Sequence, residues 1–425
     1  MTITVFLASL LGAMAIGLPI AFALLISGVA LMLLMDLFDS QILAQNLING
    51  ADNYSLLAVP FFILAGELMN SGGLSNKIID IAKALMGHVR GGLGYVTVIA
   101  AILLGSLSGS AIADTAALSA LLLPMMRNAG YNENRSAGLI AASGIIAPVL
   151  PPSIGFIIFG VAAGVSITKL FVAGIVPGLW LGLSLFVTWW YLTRRDNIKP
   201  EPRQSMQQVI AALMRGIWAL GLPVIIVGGL KFGIFTPTEA GVVAAVYAGL
   251  VSALVYRNLT WSELVRAFRS AAKTTSVVMF LVAASMVAAW LITVADLPGE
   301  VVKLLEPFLD NKILLMFMMM ALVFAVGTAM DFVPTVLILT PVLMPVVKAA
   351  GIDPVYFGVL FIMNNAIGLI TPPVGTVLNV VCGVGKVPMD GVIKGVMPFL
   401  LAQTIAMFLM VLFPALVMVP AAWFK

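Results

Sequence analysis

Polar stretches fall at residues 36–53, 71–92, 194–208, 257–273 and 295–312, and apolar segments fill the intervals between them. An apolar helix needs about 20 residues to cross a membrane, so the chain has material for on the order of a dozen such segments. This pattern predicts an all-α polytopic membrane protein. Segment 55–70 reads as one crossing, and 212–232 and 239–256 read as two more. Residues 1–35 are apolar but broken by Pro19, which leaves either one long kinked helix or two short passes. Parts of 75–90 and 258–273 are amphipathic. Trp261, Leu264, Val265 and Phe268 fall at helical spacing, which reads as an interfacial helix lying on the membrane.

Two distant stretches match at one constant offset of 221 residues. Pro124 aligns with Pro345, Arg127 with Lys348, Ala129-Gly130 with Ala350-Gly351, Leu139 with Leu360, Ile146 with Ile367, and Pro151-Pro152 with Pro372-Pro373. Each copy predicts a hairpin of two apolar stretches. In copy one Leu93–Gly105 and Ala111–Met126 flank a tip at Ser106-Leu107-Ser108-Gly109-Ser110. Thirteen helical residues span about 20 Å, short of the roughly 30 Å hydrocarbon core, which predicts a re-entrant hairpin. In copy two the hairpin is 313–348, with its tip at Gly327 to Asp331. A helix broken in its middle follows in each copy, at Gly144 to Ser153 and at Gly368 to Thr376. Paired prolines remove backbone donors and leave carbonyls without helical partners. At membrane depth such groups are tolerated only where protein, water or a ligand satisfies them.

Charge gives the repeat a direction. Cytoplasmic loops collect Lys and Arg. Loop 36–53, with Asp36, Asp39 and Asp52 and no basic residue, reads as outside. So does 295–312, with Asp296, Glu300, Glu306 and Asp310. Loop 71–92 (Lys77, Lys83, Arg90), loop 194–208 (Arg194, Arg195, Lys199, Arg203) and loop 257–273 (Arg257, Arg266, Arg269, Lys273) read as inside. Copy one enters near Ser55 from outside and copy two near Ser276 from inside, an inverted-topology repeat of the kind secondary transporters use.

Composition narrows the chemistry further. The chain is 62% hydrophobic and 9% charged, far too apolar to be a water-soluble enzyme. The longest polar stretch, Arg194 to Gln208, leaves no room for a soluble catalytic or nucleotide-binding domain, and no phosphate loop is present to use ATP. The net charge of +4 fits lipid-facing basic loops better than nucleic acid. Residues 1–35 lack the basic start of a cleaved leader and are expected to stay in the membrane. His88 reads as a solvated loop residue, and the single Cys382 allows no internal disulfide.

Each hairpin tip facing an unwound helix gathers carbonyls and small hydroxyls, the hard oxygens that suit Na⁺, beside negative helix C-terminal ends. One cation cluster is expected from Ser106 and Ser108 with Gly144, Ala147, Val149 and Leu150, and a second from Gly327 and Thr328 with Gly368, Thr371 and Val374. Half-helix N-termini beyond the breaks point positive dipole at an anion. Ser110, Ser153, Asp331, Asn364, Asn365 and Thr376 are the candidate substrate groups. Asp331 holds a substrate hydroxyl, orients an arginine or binds a cation, or else caps the half-helix starting at Phe332. Asn364 and Asn365 bind substrate or lock the hairpin. Asp114 is either a cap or functional, Glu67 is an intramembrane acid that could simply snorkel to the basic loop, and Glu239 looks like a capping residue.

These residues resemble a family, the large membrane subunit of the tripartite ATP-independent periplasmic (TRAP) transporters. The resemblance rests on Pro60 to Met69, the Gly105–Ser110 tip with Ala113-Asp114-Thr115, Pro148 to Ser153, and Thr371-Pro372-Pro373-Val374-Gly375, and it covers essentially the whole chain. It implies an elevator-type mechanism and Na⁺ as coupling ion. It implies a periplasmic substrate-binding protein that delivers an organic acid, and a small four-helix membrane subunit. It also implies a multi-pass location in the bacterial inner membrane, among membrane lipid. The chain then divides into N-terminal scaffold segments (1–54), a scaffold helix and cytoplasmic arm (55–92), transport half one (93–170, with hairpin 93–127 and broken helix 136–170) and scaffold helices (171–256). An arm and scaffold helix of copy two (257–312), transport half two (313–390, with hairpin 313–348 and broken helix 354–385) and a C-terminal membrane segment (391–425) follow. The competing readings are an elevator transporter for dicarboxylates or inorganic anions that needs no binding protein, and an anion channel, which would pass uncoupled flux. An intramembrane enzyme is disfavoured, because no metal cluster and no Ser/His pair stand out.

Overall fold

The computed structural model of the chain describes residues 2–196, 200 and 202–422, and these fold into twenty α-helices. The first five are α1 (Thr2–Ala15), α2 (Ile20–Leu34), α3 (Ser40–Ala51), α4 (Ala58–Ser71) and α5 (Leu74–Met86). Next come α6 (Gly92–Ser108), α7 (Ala111–Asn128), α8 (Glu133–Gly144), α9 (Ile154–Ala163) and α10 (Ile167–Thr193). Then follow α11 (Met206–Lys231), α12 (Pro237–Leu250), α13 (Trp261–Val294), α14 (Leu297–Leu305) and α15 (Lys312–Ala329). The chain closes with α16 (Phe332–Ala349), α17 (Pro354–Gly368), α18 (Thr376–Gly385), α19 (Met389–Leu412) and α20 (Ala415–Ala422). Among the described residues eight helical segments are long and apolar enough to cross a membrane.

The repeat is longer than its sequence matches. Taking 221 from the bounds of α16 gives 111 and 128, the bounds of α7. The same offset carries α15, α17, α18 and α19 onto α6, α8, α9 and α10 within a few residues, and α14 onto α5. The register survives because each helix is started by the same chemistry. Asn132 caps α8 and Asp353 caps α17 through side-chain oxygens, each two residues after the glycine of the Ala-Gly turn.

One open alternative closes and three expectations change. Residues 2–34 form two helices, with Gly17 in a left-handed turn (φ 86°) and Pro19 at the start of α2, so α1 and α2 fold back on each other. Most of 36–53 is helix rather than loop. The Asp39 carboxylate caps α3 by accepting the Gln41 and Ile42 N–H groups, and Gly50 brings α3 onto Met286 and Ala283 of α13. The apolar face of α5 is buried by protein rather than lipid, with Ile81 seated against Gly216 of α11. Finally, 257–273 is loop only to Thr260. Trp261–Val294 contains no Gly or Pro and runs as one helix of 34 residues, about 51 Å long. Trp261, Val265 and Phe268 stay exposed on its first turns, collinear with the rest of α13. Arg194, Arg195 and Arg203 lie in the segment linking α10 to α11, and Lys199 is outside the described residues.

The hairpins are also tighter than expected. Ser106 and Ser108 are the last turn of α6, and Gly327 to Ala329 are the last turn of α15. The turns shrink to Gly109-Ser110 and Met330-Asp331, and the arms lengthen to 17 or 18 residues, about 25–27 Å, so they are not too short to cross as expected: both arms of the second hairpin are among the eight segments long enough to span. Gly109 makes the first turn possible with φ 62°.

Small residues let broken helices pack closely. A Cβ on Gly138 of α8 would collide with the Gly395 backbone of α19, and one on Gly395 with the Asn134 carbonyl. Gly395→Ala is therefore expected to destabilise the fold by about 1–3 kcal/mol, measurable as a lowered unfolding midpoint in detergent. An unchanged midpoint would mean that α8 and α19 do not cross this closely.

Candidate functional site

The first tip lies on the first break backbone to backbone. A Cβ on Gly105 would sit 2.8 Å from Ala147 Cα, and one on Gly109 would collide with the Pro152 carbonyl. Gly144 leaves just enough room for the Thr115 hydroxyl. Ser110 caps α7 by accepting the Ala113 N–H at 3.3 Å. Ser106 donates to the Leu103 carbonyl of its own helix. Ser153 is fully buried, donates to the Pro148 carbonyl and caps α9 by accepting the Phe156 N–H. Its local geometry is that of a structural cap. Val149 places its carbonyl oxygen, and Leu150 its side chain, against Gly174 and Gly178 of α10. Of the four break residues in the expected first cluster, Gly144 and Ala147 lie against Thr115 and Gly105 of the hairpin.

Beside this contact is a buried acid that the expected cluster leaves out. Asp114 is 2% exposed; its Oδ1 accepts the Ser108 hydroxyl at 2.6 Å, and its Oδ2 has no partner in the protein. The Thr115, Ser119 and Ser143 hydroxyl oxygens are buried and unpartnered as well. Because Ser110 already caps α7, Asp114 is not needed as the cap. An isolated buried carboxylate is costly unless a cation or hydrogen bonds compensate it. Ser108 and Asp114 on the hairpin, Thr115 against Gly144 and Ser143 beside it all offer oxygen, the donor chemistry that suits a hard monovalent cation. The local sequence signal was an acid one turn into an apolar helix, flanked by hydroxyls.

The second tip repeats the contact. A Cβ on Gly368 would lie 2.8 Å from the Gly327 carbonyl oxygen, and the Asn365 amide oxygen faces Gly327. Asn364 donates to the Met320 carbonyl and Asn365 to the Phe332 carbonyl, so both nitrogens tie α17 to the hairpin. Both amide oxygens are buried and unpartnered. Thr328 donates to the Ala325 carbonyl of its own helix, Thr371 in the break donates back to the Ile367 carbonyl of α17, and the Val374 carbonyl accepts Asn379 at 3.2 Å. Asp331 caps α16: its Oδ1 accepts the Phe332 N–H at 2.8 Å and the Thr376 hydroxyl at 3.4 Å.

Between the two tips lies a cavity of about 650 Å³. Ser108, Ser110 and Asp331 reach it from the tips, and Pro148 and Leu369 from the breaks. The opposite wall is one face each of two helices. Ile63, Gly66, Glu67 and Asn70 of α4 recur at three- and four-residue spacing, as do Ser270, Lys273, Thr274 and Val277 of α13. Ser270 donates to Glu67 Oε1 at 2.8 Å, so this carboxylate is tied to the cavity wall rather than snorkelling. Lys273 belongs to this wall, although its charge suggested a loop. Of the expected substrate groups, Ser110 and Asp331 line the cavity and Thr376 touches Asp331; Ser153, Asn364 and Asn365 do not line it.

Comparison with known proteins agrees with this architecture. Residues 7–416 match the family described as "Tripartite ATP-independent periplasmic transporter, DctM component". The chain is 57% identical to the 2,3-diketo-L-gulonate TRAP transporter large permease protein YiaN of Escherichia coli (strain K12), over 100% of both chains. It is 38% identical to the sialic acid TRAP transporter large permease protein SiaM of Vibrio cholerae, over 95% of both. Its fold resembles that of the Alcanivorax borkumensis YdaH transporter, with TM-score 0.64 and 14% identity over 88% of this chain and 89% of that one.

Proposed function

The chain belongs to the family of the tripartite ATP-independent periplasmic transporter DctM component, and from that premise we propose that it imports an organic acid anion in symport with Na⁺. As a TRAP large permease it is a multi-pass protein of the bacterial inner membrane, and a transporter rather than an enzyme. In our reading a periplasmic binding protein delivers the anion and a small membrane subunit completes the complex. Two relatives carry the names of organic acids, 2,3-diketo-L-gulonate and sialic acid, which supports this substrate class.

The observation that carries the reading is the cavity enclosed by both tips. One wall comes from α4 and α13, the other from the hairpins and breaks of both copies. Motion of the second wall along the first would carry a bound anion across the membrane, which is the elevator scheme. The moving halves are then 93–170 and 313–390. The remaining segments (1–54, 55–92, 171–256, 257–312) form the scaffold, with 391–425 as the C-terminal membrane segment. In this scheme both hairpins re-enter, and their two tips flank the cavity.

Ser108, Asp114, Thr115 and Ser143, with the Gly144 and Ala147 backbone, would hold one Na⁺. Gly327, Asn365 and Gly368 would hold a second. When bound, Na⁺ supplies the energy of its gradient. The test is uptake of a carboxylate panel by proteoliposomes holding the permease, the small subunit and the binding protein. Uptake is expected only with an inward Na⁺ gradient and all three proteins. Equal uptake with choline replacing Na⁺ would overturn the coupling, and equal uptake without the binding protein would place the chain with autonomous elevator transporters.

A further inference from the structure

The charges around the cavity are few and unequal, and they select among organic acids. Resting on the cavity being the transport site, we propose that the Lys273 amine is the counter-charge for a single carboxylate. Glu67 and Asp331 accept hydroxyl groups of the same molecule. The site is thereby built for a monoanionic, hydroxyl-rich acid and against a dianion.

Glu67, Lys273 and Asp331 are the charged side chains lining the cavity, two acids and one base by formal charge. Lys273 has no hydrogen bond or ion pair among the described residues, and it sits one turn past Ser270 on the face of α13 that turns to the cavity. An amine without a protein partner beside an apolar-walled cavity is the strongest attraction offered to an anion there. Glu67 uses Oε1 for Ser270, and Asp331 uses Oδ1 for Phe332 and Thr376. The second oxygen of each has no partner among the described residues and accepts hydrogen bonds only. Hydroxyl groups supply those donors. A second carboxylate would instead meet a like charge, which disfavours it. Ser110, whose hydroxyl accepts the Ala113 N–H and keeps its own proton, adds a donor from the first tip, whereas the Ser108 proton is already given to Asp114. The lining thus has one place for a negative group and several for hydroxyls, within a volume that holds a chain of about six carbons and some water.

The wall position of Lys273 adds a directional consequence. The amine belongs to α13 and not to either hairpin, so it meets the carboxylate only while the tips lie opposite that stretch of helix. It acts as a positioning and specificity residue for one end of the cycle.

The test uses the purified complex of permease and small subunit, titrated calorimetrically in Na⁺ without binding protein. The probes are gluconate, galactonate and glycerate as hydroxylated monoanions, and succinate, malate and fumarate as dianions. The best monoanion is expected to bind at least about ten-fold tighter than the best dianion, the scale of one charge-assisted contact. Lys273→Ala should weaken it about ten-fold while Lys273→Arg stays near the wild type, and Glu67→Gln should narrow the gap to succinate. Stabilisation by Na⁺ alone should be unchanged in all three variants. A dianion that binds as tightly as the best monoanion would overturn the proposal, and so would wild-type monoanion binding by Lys273→Ala. Binding of neither class to the unaltered protein, with Na⁺ stabilisation intact, would remove the cavity's assignment and this proposal with it, while leaving Na⁺ coupling standing.

Discussion

Asp114→Ala is expected to abolish uptake at ordinary Na⁺ concentrations, with the Na⁺ level for half-maximal transport rising about a hundred-fold. The argument starts from burial. The carboxylate is 2% exposed, holds the Ser108 hydroxyl with one oxygen and offers the other to nothing in the protein. Removing one partner of a buried charge pair costs about 3–5 kcal/mol, and about 1.4 kcal/mol is a factor of ten in affinity, so a hundred-fold loss is the lower end. The same substitution removes a group that is costly to bury. The variant should therefore unfold in Na⁺-free detergent no earlier than the wild type. Loss of Na⁺ affinity with retained stability separates a ligand from a structural group, whose loss lowers both. Asp114→Asn keeps a hydrogen bond to Ser108 and should still lose the Na⁺ response. Proteoliposome uptake across a Na⁺ series decides the matter, and an unaltered Na⁺ dependence in Asp114→Ala would take the cation out of this site.

Much of the architecture was legible because the repeat is written in residues with strong backbone meaning. Pro-Pro, Ala-Gly and Pro fix turns and breaks, so a shared register of them carries the helices with it. Hidden features share a physical cause. Charge alone marks loops, but Lys273 sits in a helix without Gly or Pro, and only the absence of breakers over Trp261–Val294 reveals its continuity. Asp39 looked like a loop residue because helix starts also collect acids; it caps α3. Glu67 was ambiguous because its partner, Ser270, lies 203 residues away. Asp114 was ambiguous because a capping acid and a cation-binding acid look alike one turn into a helix. The break residues Val149 and Leu150 were grouped with the tip because the sequence does not say which side of an unwound segment faces which neighbour; Gly174 and Gly178 of α10 take them.

The second large effect is expected at Gly368. A Cβ there would lie 2.8 Å from the Gly327 carbonyl oxygen and 2.9 Å from its carbon, and neither backbone atom can rotate away. The equivalent contact in copy one has Gly105 on the hairpin and Ala147 on the break, and Ala147 is 221 residues before Gly368. Both copies thus press tip against break at the same level, with glycine on the hairpin side in copy one and on both sides in copy two. In copy two the carbonyl oxygen of Gly327 and the buried amide oxygen of Asn365 converge there, so an added side chain would fill the space a cation needs and part the two elements. Overpacking of this kind costs up to about 3 kcal/mol, which shifts a two-state balance about a hundred-fold. Gly368→Val is expected to reduce uptake by that order and Gly368→Ala by less. Gly383→Ala, which meets nothing within 4 Å, should transport normally. The graded series distinguishes steric blockade from general fragility, because a merely weakened fold would recover as temperature is lowered and a blocked contact would not. Uptake by Gly368→Val at the wild-type rate would mean that the second tip never closes on its break during the cycle.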